Sequence, residues 1–129
     1  MNFPQTVSTT LFAGTISVGT TYAVVMKVPT DAQGGQITVL SAGVSSRAAI
    51  AAGSSPDFSL VTLSTAAAVN GTIATFASGA FTAGTPKAAT IADADAGDAT
   101  YFIAFKVMGT AANVDNNHVT GWFNYVPGI

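Results

Sequence analysis

Runs rich in apolar, β-branched and aromatic residues recur along the chain as strand candidates. At about 10–15-residue spacing Gly, Asp, Asn, Ser or Pro punctuates them, the spacing of short antiparallel strands joined by turns. The clearest run is Tyr101-Phe-Ile-Ala-Phe-Lys-Val107, which sets Tyr101, Ile103, Phe105 and Val107 on one face. Phe102, Ala104, Lys106 and Met108 take the other. Val119-Thr-Gly-Trp-Phe-Asn-Tyr-Val126 forms a second strong strand, closed by Pro127-Gly128. Further strands are expected over 6–16, 22–28, 37–44, 58–63, 72–81 and 89–92. Ile37, Val39 and Ser41 share a face of one, and Phe58, Leu60 and Thr62 oppose Ser59, Val61 and Leu63 in another. Asn70-Gly71 carries the signature of a type I′ hairpin turn, because both residues tolerate positive φ. Asp93 to Asp98 is expected as another turn, and Arg47 to Ala52 reads equally as a short helix or a strand.

About eight strands without a long helix or a linker define one domain over residues 1–129. The expected fold is all-β, a single antiparallel β-sandwich of jelly-roll type. Residues 1–10, polar and extended, are expected to form an N-terminal arm reaching a neighbouring subunit. One internal echo stands out: Tyr22-x-Val24-x-Met26-Lys27-Val28 matches Tyr101-x-Ile103-x-Phe105-Lys106-Val107. A shared strand pattern explains it, and a duplicated half-fold is the alternative.

Composition sharpens the class. Val and Ile total 20 against 4 Leu, and 18 Thr add to the residues that are stiff at χ1 and suit a pleated sheet. Only 8% of residues are charged, against roughly 25% in an ordinary globular domain. With no Cys, disulfides, thiolate chemistry and Cys-based zinc sites are excluded. A net charge of −2 leaves no basic footprint for nucleic acid. No apolar run approaches the ~18–20 residues that cross a bilayer. Residues 1–14 carry neither Lys nor Arg nor an apolar core, so no export signal is expected.

The candidate chemistry is sparse. Asp93-x-Asp95-x-Gly97-Asp98 resembles the start of a calcium loop, yet the chain has no Glu to complete an EF-hand, and Asp and Gly also make ordinary turns. His118 with Asp115 offers two members of a triad, but no Gly-x-Ser-x-Gly elbow accompanies them. Asp pairs for glycoside hydrolysis come only from turns. No catalytic residue, cofactor or metal site is assigned, and the chain is not expected to be an enzyme.

The surface is more informative. Ten charges cannot cover the exterior, so Thr, Ser, Ala and Gly must. A β-rich surface of that kind favours association. Trp122 and Phe123 are adjacent and point to opposite faces, so one large aromatic is directed outward, as Phe102 and Met108 are on what the chain order suggests is the neighbouring strand. Interface cores favour aromatics and Met. Trp122, Phe123, Tyr125 and Phe102 are therefore the candidate interface residues. Trypsin has only Lys27, Arg47, Lys87 and Lys106 to cut after, three of them in or beside expected strands.

A Cys-free, charge-poor, all-β chain rich in Ala, Gly and Thr, with the turn-to-aromatic-strand run Ala96 to Val107, resembles the head decoration (cement) proteins of tailed bacteriophages. The resemblance implies a homotrimer, made in the host cytoplasm and resident in the virion, that binds the major capsid protein at subunit junctions. It implies no catalysis, no nucleic acid and no membrane. The alternative is a receptor- or carbohydrate-binding module of a tail or head fibre, with Trp122 stacking on a sugar near Asn116 and Asn117.

Overall fold

The structure, a computed structural model, describes residues 4–12, 19–28, 37–51, 55–64, 69–93, 95–96, 102–109 and 119–127. They form β1 (Gln5–Phe12), β2 (Gly19–Lys27), β3 (Ile37–Ser46), β4 (Asp57–Leu63), β5 (Val69–Phe76), β6 (Lys87–Ile91), β7 (Asp95–Ala96), β8 (Phe102–Gly109) and β9 (Val119–Pro127). Every pairing is antiparallel, in the order β1-β9-β3-β6-β5-β4-β8-β2, with β7 beside β3. The two ends of this order, β1 and β2, approach one another, so the sheet curls into a nearly closed, barrel-like wall. Among the described residues there is no helix, and hence none long and apolar enough to cross a membrane.

β6 makes the bend in the wall. Lys87 and Ala88 pair with Val44 and Gly43 of β3, whereas Ala89, Thr90 and Ile91 pair with Phe76, Thr75 and Ala74 of β5. One short strand thus passes the hydrogen-bonding ladder from one half of the sheet to the other. The interior is filled by Ile37, Val39, Val44, Leu60, Ile73, Ile103, Val107 and a chain of rings. Phe105 lies 6.3 Å from both Phe76 and Phe123, and Phe123 lies 5.8 Å from Tyr125. These are tilted contacts of the kind aromatic quadrupoles favour. The buried hydroxyls of Ser46, Ser55 and Thr62 donate to the carbonyls of Ala48, Pro56 and Gly71, so none is left unsatisfied.

Several expectations are corrected by pairing. Gln5 to Thr10 are not an arm: they lie in β1 and pair residue for residue with β9. Asn70-Gly71 is not the hairpin turn but part of β5, with Gly71 opposite Thr62 and Val69 opposite Leu63. Asn70 is the extra residue of a bulge, a role that small and turn-forming residues fill inside strands. Ser41 does not share a face with Ile37 and Val39. The register slips between Val39 and Ser41, leaving Leu40 as a bulge residue, so Ala42 and Val44 continue the inner face and Ser41 turns outward. Arg47 to Ala51 are neither helix nor strand: β3 ends at Ser46, and Ile50 makes an isolated bridge with Phe81, while Ala52 lies outside the described residues. Asp95 pairs with Thr38 in β7, where a turn was expected, while Asp98 lies outside the described residues.

Candidate functional surfaces

The structure separates the four candidate interface residues. β9 sits between β1 and β3, and β8 sits between β4 and β2, so the two aromatic strands are not neighbours. They face one another across the interior instead, Phe105 meeting Phe123 at 6.3 Å. Residues that alternate with these rings therefore leave the molecule on opposite sides. Phe123 is fully buried and Tyr125 nearly so, both within the chain's own core, and this removes them as contact residues. Their partners across the ladder explain the choice: Phe123 lies between Val7 and Ala42, whereas Trp122 lies between Ser8 and Gly43. Trp122 and Phe102 remain as outward aromatics, on different faces.

The face carrying Trp122 is built on β1, β9 and β3. Around Trp122 its outward residues are Thr6, Ser8 and Thr10 of β1, Thr120, Trp122 and Asn124 of β9, and Ser41, Gly43 and Ser45 of β3, in paired rows, with exposed Leu40 and the Thr38–Val126 pair beyond the Asn124 row. None is charged. A Cβ placed on Gly43 would lie 2.4, 2.5 and 2.8 Å from Cζ2, Cε2 and Nε1 of Trp122. Three contiguous ring atoms at nearly one distance mean that the indole lies flat on the glycine. Beside it, Asn124 ties the three strands together: its Oδ1 accepts from the Thr6 hydroxyl, and its Nδ2 donates to Ser41 Oγ at 2.8 Å. Thr10, Thr120 and Ser45 form the row on the other side of the ring.

The opposite face, on β2, β8 and β4, has a different chemistry. Tyr22, Val24 and Met108 are 40%, 55% and 38% exposed. Phe102 is half-buried against a small cluster of Val61, Leu63 and Ala104. Tyr22 lies opposite Lys106, and Lys27 lies opposite Phe102 with its ammonium 5.9 Å from the ring. The echoing segments found in the sequence are thus antiparallel neighbours, each lysine facing an aromatic of the other strand. A depression of about 370 Å³ at the β4–β5–β8 end of this face is bordered by Asp57, Thr75, Lys106 and Met108, with Phe58 and Phe76 in its wall.

A third polar cluster serves the fold. Lys87 Nζ donates to the carbonyls of Ala77 and Gly79, both at 2.9 Å, and sits 4.1 Å above the Phe81 ring. It fastens the connection between β5 and β6, whose turn over Thr82 to Thr85 places Gly84 at φ 73°, a conformation that suits glycine. Burial holds the Lys87 pKa below its usual 10.5, with Asp57 pulling it partway back. Among the described residues no three His, Cys, Asp or Glu gather as a metal site, and Asp93 is exposed. Asp98, Asp115, Asn116, Asn117 and His118 lie outside the described residues. Sequence reasoning missed Gly43 as the floor beneath Trp122, although a glycine inside a strand is itself a sign of close approach.

No protein-family model matches the chain, and no curated protein matches it in sequence. Among solved structures, a chain from the structure of infectious bursal disease virus Gx strain aligns with a TM-score of 0.47 at 8% identity. The match covers 96% of this chain and 31% of that one. A likeness that slight says nothing about function.

Proposed function

We propose that the protein is a virion structural protein, a head decoration protein of a bacteriophage that assembles as a trimer and seats on the capsid through its β2-β8-β4 face. The observation that carries this reading is the exposed apolar group Tyr22, Val24 and Met108 beside half-buried Phe102. Aromatics and Met are enriched in the buried centre of protein interfaces, and an apolar sheet face left in water is a liability for a monomer. The strand order supports a jelly roll as the scaffold. Leaving β7 aside, the order β1-β9-β3-β6 followed by β5-β4-β8-β2 is compatible with two four-stranded halves of a double Greek key, a plan used by capsid and lectin domains alike. The fold therefore leaves the role open, and the exposed apolar group on β2 and β8 is what favours the capsid reading. The reading is tested by light scattering on the purified protein and by co-sedimentation with empty phage heads. Three chains per particle and saturable binding are expected, both lost when Tyr22, Val24 and Met108 are all changed to Thr. A monomer that ignores the heads, or a triple variant that behaves like the parent, refutes it.

A further inference from the structure

The Trp122 face is suited to something other than a protein partner. We propose that it is a binding platform for a neutral saccharide, with one pyranose ring stacked on the indole of Trp122. The site lies on the side of the molecule away from the β2-β8-β4 face and does not depend on what that face contacts.

Three features of the site point to a sugar. The indole is held flat by Gly43 and is still partly exposed, so it presents a ring face outward. The face of an aromatic ring is the negative pole of its quadrupole, and the C–H groups on one side of a pyranose are weakly positive. The groups around the ring are hydroxyls and one amide: Ser8, Thr10 and Thr120, and the Asn124 side chain fixed between Thr6 and Ser41. Hydroxyls and amides both donate and accept hydrogen bonds, as sugar hydroxyls require. Along β9 the flanking rows at Thr120 and Asn124 each stand about 7 Å from Trp122, which frames the indole with polar groups on either side. No outward residue of these rows carries a charge, which selects neutral sugars over uronates, sulfated chains or phosphates.

A second copy of this chain is the less fitting occupant. The buried centre of a protein interface is depleted in Ser and surrounds its aromatic anchor with apolar contact, whereas here the anchor stands among hydroxyls. The fixed Thr6–Asn124–Ser41 row also gives the site a rigid polar edge, so little side-chain entropy is lost when a ligand docks.

The chain has a single Trp, so its fluorescence reports on this site alone. The full-length protein is titrated with maltohexaose, mannohexaose and laminarihexaose, and run in native gels containing dextran or mannan. At least one of these neutral glycans is expected to shift the emission, protect it from acrylamide quenching and retard migration. Trp122→Ala is expected to lose retardation by about tenfold or more in affinity, roughly the loss of one stacking contact. Gly43→Ala, which tilts the indole off the sheet but keeps it, is expected to weaken binding several-fold. Thr90→Ala, exposed on β6 and outside both surfaces, is expected to bind as the parent does. The quenching measurement on the unaltered protein stands even if Trp122→Ala fails to fold. The proposal is overturned if none of the neutral glycans protects or shifts Trp122, or if retardation persists without the indole. It is equally overturned if heparin binds in their place, or if Trp122→Ala only converts an oligomer to monomers.

Discussion

Two glycines accept aromatic rings, and they predict opposite responses to one added methyl group. At Gly121, on the inner side of β9, a Cβ would stand 2.8, 2.9 and 3.0 Å from three atoms of the Phe105 ring, well inside the ~3.5–4 Å of a comfortable carbon contact. Phe105 is fully buried with Phe76 and Phe123 on either side, so it has nowhere to go. Overpacking of this kind costs ~1–3 kcal/mol, and replacing a strand glycine by alanine returns ~0.5–1 kcal/mol. The difference spans ~0–2.5 kcal/mol, and because Phe105 cannot relax the net loss for Gly121→Ala is set at about 1–2 kcal/mol. With an unfolding entropy of ~2.1 cal/mol/K per residue, a chain of this length loses ~4 °C per kcal/mol, so its melting temperature falls by roughly 4–8 °C. At Gly43 the approach is closer, 2.4 Å, yet the neighbour is the partly exposed indole of Trp122, which can swing into water. Gly43→Ala is expected to stay within ~0.5 kcal/mol of the parent, a shift under about 2 °C. Thermal unfolding followed by circular dichroism distinguishes the two. In addition, the penalty of Gly121→Ala should shrink by about 1 kcal/mol when Phe105 is already Leu, because the two side chains share one space. If Gly43→Ala proves the more damaging, or the two sites add independently, the assignment of inner and outer faces is wrong.

The same assignment predicts that Phe123→Ala lowers stability by ~3–5 kcal/mol, while Trp122→Ala costs about 1 kcal/mol or less. Equal losses in urea denaturation would contradict it. Lys87 makes a pH prediction. Its folded pKa lies below 10.5, so the unfolded chain holds the proton more tightly, and this group's contribution to stability rises as pH climbs from the folded value toward 10.5. The melting temperature of the parent minus that of Lys87→Arg, which keeps its charge, should increase between pH 8 and pH 10; a decrease refutes burial as the dominant influence on this amine.

What the sequence revealed was local, and what it hid depends on partners distant in the chain. The period-two alternation of faces, over two runs rich in aromatic and β-branched residues, Phe102 to Met108 and Val119 to Val126, placed β8 and β9 within a residue or two. The same alternation made Trp122 and Phe123 equivalent, since a strand read alone does not say which face is inside. The decision comes from β1 and β3, whose Val7 and Ala42 flank Phe123 while Ser8 and Gly43 flank Trp122. Ser41 was misplaced because one bulged residue, Leu40, inverts every assignment after it. The Asn70-Gly71 pair has the chemistry of a turn, but the ladder with Thr62 absorbs it as a bulge. Chain order suggested that β8 and β9 were side by side, whereas the sheet inserts each between strands from the first half of the chain.

That insertion has a consequence during synthesis. β1 pairs with β9, so Gln5 must wait for Tyr125, 120 residues later, before its hydrogen-bonding partner exists. Contacts so remote in sequence make for slow folding and a long interval in which an unpaired strand is exposed to aggregation. The composition of β1 suits that interval. Its Gln-Thr-Val-Ser-Thr-Thr run offers water hydroxyls and an amide while the partner strand is still on the ribosome, and the apolar sequences that finish the barrel arrive last.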